Sequence, residues 1–257
     1  MKLSRAIVGT CALAAVIAIA AFSPARDSKS EVAIAAAANL SEVLQVIGPR
    51  FEAATGIHPV FSFASTAQLA LQIEHSAPFD VFAAADVEHV EQLEKKGLLT
   101  PGSKAVYATG ILALWIPPAA KAKIDKVSDV TQPPVRVIAL AKPELAPYGL
   151  AARESLQRLG IWDQVQPRIV YADNINMAKQ YGASGNADAV FTAYSLVMKE
   201  GGKVISVDEQ LHRPIDQALG IVAASKQPDA ARRFADFLLK GAGRDILGSS
   251  GYQVPPR

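Results

Sequence analysis

Apolar runs and helical patterns alternate along the chain from residue 32 onwards. Strand-like runs occupy residues 32–36, 58–63, 79–84, 135–141, 169–172, 187–193, 204–207 and 218–224, and a longer apolar segment covers 106–116. Apolar residues at helical spacing follow several of these runs, and the pattern at 228–240 is clearly amphipathic. This alternation predicts an α/β protein with mostly parallel sheets flanked by helices.

The first strand-to-helix turn is built from small residues. Ala37 and Ala38 allow another group to approach the backbone closely, and Asn39 is a favoured N-cap for the helical spacing that begins at Leu40. Free N–H groups and the positive end of the helix dipole make such a turn a natural seat for an anion. On its own, the turn fits an ordinary βα unit equally well.

Similar turns recur further along the chain, at 64–67, 146–149 and 173–175. The second contains two hydroxyl side chains, the third a proline followed by Tyr148, and in the fourth Asp173 or Asn174 is expected to cap a helix. Ligands of open α/β sheets bind at the carboxyl ends of the strands. All four turns can therefore point into one cleft, although each can also be an ordinary helix cap.

A chain of about 230 residues with this many predicted strands is large for a single sheet, so two lobes are favoured over one. No linker rich in Pro, Gly or Ser separates them, so we expect the chain to cross between lobes through strands, near Gly110 and within 214–219. Residues 30–108 and 217–257 are then lobe I, which contains both ends of the mature chain, and residues 109–216 are lobe II.

Proline at position 49 interrupts the first helical pattern. It removes a backbone hydrogen bond and clashes with the preceding turn, so a kink or an early helix end is expected near Gly48.

The N-terminal segment has the features of a secretory signal. Lys2 and Arg5 precede an apolar run over 6–22, and small residues at 23–25 provide a cleavage site, so residues 1–25 are predicted to be removed on export to the periplasm. The single cysteine, Cys11, lies in this segment, which leaves the mature chain without a disulfide. Without Lys2 and Arg5, 24 basic residues balance 24 acidic ones, and such a neutral chain has no electrostatic footprint for nucleic acid.

Other chemistry has weaker support. His75, Asp80, Asp86 and His89 lie close in sequence and could suggest a metal site, but strand alternation and a turn are expected to scatter them. A hydrolase is disfavoured because the chain has no Gly-x-Ser-x-Gly elbow.

Several stretches, in this order and spacing, carry a resemblance to a known family: 35–40, 62–66, 77–86, 142–151, 185–188 and 251–252. On these residues the mature chain resembles the periplasmic molybdate-binding proteins of ABC importers (the ModA type), over nearly its whole length. The resemblance implies a two-lobed type II solute-binding fold with the ligand in the cleft. It also implies a monomeric receptor, not an enzyme and without a cofactor, that delivers molybdate or tungstate to an inner-membrane ABC permease.

The same resemblance implies a ligand set of neutral donors at the helix starts: Asn39, Thr66, Tyr148 and the backbone N–H of Ile175, with Ala38 and Ser65 as additional candidates. Molybdenum is then bound only as the oxoanion. Some family members have a ligand tyrosine where this chain has Ala193, whereas others use the position of Tyr148, and the sequence fits the second group. A receptor for sulfate or a small carboxylate, or a secreted hydrolase on a similar fold, are the alternatives.

Overall fold

The computed structural model describes residues 30–256, so the predicted signal segment 1–25 lies outside the described residues. In this part of the chain, no helix combines the length and apolar character needed to cross a membrane.

The strands follow the predicted apolar runs closely. They are β1 (Glu31–Ala37), β2 (His58–Ala64), β3 (Val81–Ala83), β4 (Ala105–Gly110), β5 (Leu112–Ile116), β6 (Ile138–Ala141), β7 (Ile169–Ala172), β8 (Ala189–Ala193), β9 (Lys203–Ser206) and β10 (Ile215–Ile221). The run at 135–141 begins its strand three residues late, and the run at 218–224 is replaced by a strand that starts earlier and includes two polar residues, Asp216 and Gln217.

The α-helices are α1 (Ser41–Thr55), α2 (Thr66–Glu74), α3 (Glu88–Lys95), α4 (Pro147–Arg158), α5 (Trp162–Val165), α6 (Ile175–Ala183), α7 (Tyr194–Val197), α8 (Pro228–Leu239) and α9 (Ala242–Ser249). Short 3-10 helices occupy Ala38–Leu40, Val127–Thr131, Gln166–Arg168 and Glu209–Leu211.

The strands form two five-stranded sheets with the same topology. The first has the order β2-β1-β3-β10-β4 and the second the order β7-β6-β8-β5-β9. In each sheet the first strand in chain order, β1 or β6, lies between the next two strands, and both run parallel to it. We call the part built on the first sheet lobe I and the part built on the second sheet lobe II. The exact lobe boundaries proposed from the sequence remain a prediction.

The chain passes between the sheets at two places, and this makes both sheets mixed. The predicted apolar segment 106–116 is two strands, β4 in one sheet and β5 in the other, separated by Ile111 alone. The chain returns from the second sheet to the first between β9 and β10. The connecting strands β10, β4, β5 and β9 pair antiparallel with their neighbours. The α/β architecture with two lobes and mostly parallel sheets is as predicted, and in each sheet a single strand, β10 or β5, runs against the other four.

Helix α1 corrects two local predictions. It continues through Pro49 to Thr55, so the early helix end is wrong. A Cβ atom at Gly48 would lie 2.9 Å from the ring of Phe61, so a larger residue there would require this ring to move. Asn39 is not a helix cap: it lies inside the 3-10 turn that precedes α1, and its side chain makes no capping hydrogen bond.

Each sheet is covered by helices on both faces, which builds the buried core of its lobe. In lobe I, Phe51 of α1 packs edge-on against Phe234 and Phe237 of α8. In lobe II, the largest buried side chain is Trp115 of β5, whose indole N–H donates to the carbonyl of Gly201. These two cores fix the positions of the strand ends at which the candidate site lies.

Candidate functional site

A small cavity lies where the carboxyl ends of the parallel strands of both sheets meet. Its walls are the turn after β1 (37–39), the turn after β2 (65–66), Ala85 after β3, the turn after β6 (146–148) and the turn after β7 (174–175). Its volume, measured by where the centre of a water-sized sphere fits, is about 10 Å³. In the described part of the chain, the residues that line it are all uncharged. The four turns singled out in the sequence therefore do face one another.

The structure brings all six candidate residues to this cavity: Ala38, Asn39, Ser65, Thr66, Tyr148 and Ile175. Each is buried. Residues 66, 148 and 175 lie in the first turns of α2, α4 and α6, where helix N–H groups have no acceptor within their own helix. Asn174 caps α6 by accepting a hydrogen bond from the N–H of Met177, as the sequence predicted. That these residues bind an anion remains a prediction at this point.

Two hydroxyl groups at the cavity accept hydrogen bonds from the protein. The Oγ1 of Thr66 accepts from the backbone N–H of Ala85 at 3.1 Å. The Oη of Tyr148 accepts from the side-chain amide of Gln217 at 3.0 Å. A hydroxyl that accepts in this way still carries its own hydrogen. Thr66 and Tyr148, one from each lobe, can therefore each donate a hydrogen bond into the cavity.

Two further polar side chains at the cavity, those of Asn39 and Ser65, donate their hydrogens to other groups of lobe I. The amide nitrogen of Asn39 donates to Oε1 of Gln217 at 2.7 Å and to the hydroxyl of Tyr252 at 3.3 Å. The hydroxyl of Ser65 donates to Oε1 of Gln68 at 2.7 Å. Both hydrogens of the Asn39 amide are thus used, and the donor that Asn39 can still offer a ligand is its backbone N–H in the 3-10 turn.

The phenols around the site remain protonated at any physiological pH. Burial raises the pKa of Tyr148 well above its ordinary value, and it does the same for Tyr107. Burial also raises the pKa of Tyr252 to about 12. The donor pattern of the site therefore does not depend on titration near neutrality.

Comparison with known proteins assigns the family. The sequence model of the family of bacterial extracellular solute-binding proteins matches residues 32–253 of this chain. The molybdate-binding protein ModA of Rhodobacter capsulatus is 36% identical over 245 residues, covering 95% of this chain and 95% of its own. ModA of Azotobacter vinelandii is 35% identical over 231 residues, covering 87% and 90% of the two chains. This chain is a solute-binding protein of the ModA type.

The fold agrees with this assignment. The structure of the periplasmic molybdate-binding protein of Azotobacter vinelandii superposes with a TM-score of 0.83 at 30% identity, over 88% of this chain and the whole of the other. Members of the family are receptors rather than enzymes, so the hydrolase alternative is not supported.

The two lobes of this solute-binding protein are closed over the cavity. The amide of Asn176 in α6 donates to the hydroxyl of Ser41 in α1 at 2.9 Å. Next to it, the ammonium of Lys179 binds the carboxylate of Glu42 at 2.7 Å and that of Glu200 at 2.6 Å. Burial lowers the pKa of Lys179, but these carboxylates outweigh it and the pKa is raised, so the ion pair persists across the physiological range.

A glycine at the crossing between the lobes allows Tyr148 to approach. A Cβ atom on Gly110 would lie 2.0 Å from Oη of Tyr148 and 2.6 Å from Nε2 of Gln217. No side chain fits there, so the end of β4 packs directly against the tyrosine that faces the cavity. The sequence marked Gly110 only as a crossing point.

Gln217 was not predicted from the sequence to contribute to the site. It is fully buried and contacts Asn39, Tyr107 and Tyr148. The signal that could have found it is a glutamine directly before the apolar run 218–224. Tyr252 was noticed only as part of the family pattern; its hydroxyl donates to the carbonyl of Asn39 at 2.7 Å.

The loose cluster of possible metal ligands is not brought together. Asp86 pairs with His89 at 2.8 Å, whereas Asp80 bonds the N–H of Ala33 and the hydroxyl of Ser225. Over residues 30–256, no group of three or more His, Cys, Asp or Glu side chains is arranged to hold a metal ion.

Proposed function

We propose that this protein captures molybdate, and also tungstate, in the cavity between its lobes and delivers the ion to an inner-membrane ABC permease. The observation that carries the proposal is the cavity itself, in which helix starts from both lobes converge without a charged side chain. The relatives from Rhodobacter capsulatus and Azotobacter vinelandii are named molybdate-binding proteins, which supports the same ligand class.

Neutral donors suit a tetrahedral dianion. Such an ion has four acceptor oxygens, and backbone N–H and hydroxyl groups fixed by the fold reorganise little when it binds. Hydrogen bonds to a charged group contribute ~1.5–3 kcal/mol each. Roughly six of them, less the desolvation of the ion and the ordering cost of closure, correspond to micromolar to nanomolar affinity. The hydroxyls of Thr66 and Tyr148 are the side-chain donors in this set.

A site of donors also selects against protonated anions. An O–H group on the ligand would find no acceptor among Thr66, Tyr148 and the helix N–H groups, and leaving it unbonded in a buried site is costly. Phosphate carries at least one proton at neutral pH, whereas molybdate, tungstate and sulfate carry none. Sulfate is excluded by size, because its oxygens lie closer together than those of the larger ions.

Capture occurs by closure of the two lobes. Because the ligand touches donors of both lobes, it stabilises the closed state relative to the open one. The bonds from Asn176 to Ser41 and from Lys179 to Glu42 form only when the lobes meet, and they add to closure. We expect the receptor to act as a monomer in the periplasm, after removal of residues 1–25.

Isothermal titration of the purified mature protein tests the proposal. Molybdate, tungstate, sulfate and phosphate are titrated separately at neutral pH. One-to-one binding of the first two, with no heat of binding from the others, is expected. Binding of sulfate as tightly as molybdate would contradict the size argument, and no binding of any of the four would remove the oxoanion assignment while leaving the fold unaffected.

A further inference from the structure

The side-chain amide of Gln217 lies behind the cavity and joins three polar groups. Its Oε1 accepts from the amide of Asn39 at 2.7 Å and is 2.9 Å from the hydroxyl of Tyr107. Its Nε2 donates to the hydroxyl of Tyr148 at 3.0 Å. Gln217 is on β10 of lobe I and Tyr148 is on α4 of lobe II, so this bond crosses between the lobes. Gln217 is not among the residues that line the cavity.

The orientation of this amide decides what Tyr148 can do. With Nε2 facing it, the phenol accepts a hydrogen bond from the protein and keeps its own hydrogen for a ligand. With the amide reversed, Oε1 would face the phenol, and the phenol would donate to Gln217 instead. The tyrosine would then present only lone pairs to an anion.

Two neighbours bear on this orientation, in opposite directions. Asn39 favours it, because reversing Gln217 alone would place the amide nitrogens of both residues against each other at 2.7 Å. Tyr107 opposes it, because its one hydroxyl hydrogen lies near two acceptors, Oε1 of Gln217 and the carbonyl of Ala84 at 2.8 Å. In the structure Nε2 faces Tyr148, the orientation that leaves the phenol hydrogen free, although Tyr107 then has one hydrogen near two acceptors.

We infer that Gln217 is a positioning residue for anion binding: by donating to Tyr148 it turns the phenol hydrogen towards the bound ion, without touching the ion itself. This inference rests on the proposed function, since it assigns how one donor of that site is prepared. It predicts that Gln217 affects affinity through the hydroxyl of Tyr148.

A double-mutant cycle on the full mature chain measures this coupling. Tyr148→Phe, Gln217→Met and the double variant are titrated with molybdate, and thermal unfolding confirms that each is folded. Loss of one hydrogen bond to a charged ligand weakens binding by about tenfold to 100-fold. We expect losses of about tenfold or more for each single variant, and a double variant within about threefold of Tyr148→Phe alone.

A purely structural role for Gln217 would give a different result. The losses of the two single variants would then multiply in the double variant, and that outcome overturns the inference. Wild-type affinity of Gln217→Met overturns it as well. Gln45→Met, an exposed glutamine on α1, is the matched control and should bind as the wild type does.

The cycle also separates this inference from the proposed function. If the wild type binds none of the oxoanions, both are wrong. If the wild type binds molybdate and Tyr148→Phe weakens it while Gln217→Met does not, only the role of Gln217 is wrong.

Gln217→Glu is the second variant, for use if Gln217→Met loses its cooperative unfolding transition. Glutamate keeps the shape of glutamine, but both of its carboxylate oxygens accept, so the phenol of Tyr148 would donate to residue 217 rather than to the ion. Binding at least about tenfold weaker than in the wild type is expected. Wild-type affinity of this variant would overturn the inference.

Discussion

Lobe I and lobe II have the same strand order, and each places two of the predicted strand-to-helix turns at the cavity, yet the polar groups of these turns are hydrogen-bonded differently. In lobe I, the side chains of Asn39 and Ser65 are used within the lobe, and Thr66 accepts its hydrogen bond from the same lobe. In lobe II, Tyr148 accepts its bond from Gln217 of lobe I. The proposed donors of lobe I are thus held within their own lobe, whereas Tyr148, the proposed side-chain donor of lobe II, is held by the opposite lobe.

This difference shows that equal topology does not give equal function to equivalent turns. The turns after β1 and β6 are topological equivalents, but one presents small residues and backbone N–H groups and the other a buried tyrosine. A change that separates Tyr148 from lobe I should therefore reduce binding more than the loss of a side chain that lobe I uses internally.

The largest effect on binding is expected from Gly110→Ala, because this substitution disrupts the contact between β4 and Tyr148. The new methyl group would lie 2.0 Å from Oη of Tyr148, so the tyrosine or β4 must move. We expect molybdate affinity to fall by about 100-fold or more in titration, with stability lowered by about 1–3 kcal/mol. Gly248→Ala in α9, where the nearest atom is 3.6 Å from the added carbon, is the control and should bind normally.

The next comparison is between two neighbouring hydroxyls of lobe I. Thr66→Val keeps the shape of the side chain but removes a donor that can reach the ion, so about tenfold to 100-fold weaker binding is expected. Ser65→Ala removes a hydroxyl that donates to Gln68, and less than about threefold loss is expected. Equal losses in the two titrations would show that the assignment of free hydrogens is wrong.

A smaller effect is expected at the rim of the cleft. Glu42→Gln breaks the ion pair that Lys179 makes across the lobes, while Glu200→Gln breaks the one it makes within lobe II. Exposed pairs contribute about 0.2–1 kcal/mol, so Glu42→Gln should weaken binding by about fivefold at most, and less at high salt. Glu200→Gln should leave affinity unchanged; a loss equal to that of Glu42→Gln would argue against a role in closure.

The smallest effect is expected from pH. Because burial raises the pKa of Tyr148 and Tyr252, affinity for molybdate should be constant between about pH 6.5 and 9. A raised phenol pKa gives stability that is fully present below the unfolded value, about 10, and is lost as pH rises through the folded one. Unfolding titrations should therefore show stability falling above about pH 10, and a fall in affinity near neutrality would contradict the donor assignment.

Much of the fold could be predicted because burial leaves a local signature. The apolar runs marked the strands, and Gly110 inside 106–116 marked the passage between sheets, which the structure places between β4 and β5. The four turns were recognisable because small or capping residues follow apolar runs, and the structure does bring them to one cavity.

The parts that could not be predicted depend on contacts between distant segments. Strand β10 starts before its apolar run because Asp216 accepts from the hydroxyl of Thr109 and Gln217 is satisfied by the site, which makes two polar residues acceptable inside a strand. The helix continues through Pro49 although a local rule argues against it. Asparagine is a residue type that often caps helices, but the side-chain amide of Asn39 instead donates to Gln217, which is 178 residues away in the sequence.

The most direct test of the central claim is an anomalous difference map from crystals of the mature protein grown with molybdate, with data collected at the molybdenum absorption edge. We expect a single strong peak in the cavity, placed so that oxygens of the ion lie within hydrogen-bond distance of the hydroxyls of Thr66 and Tyr148. A peak elsewhere on the molecule, or a peak in the cavity bonded by one lobe alone, would contradict it.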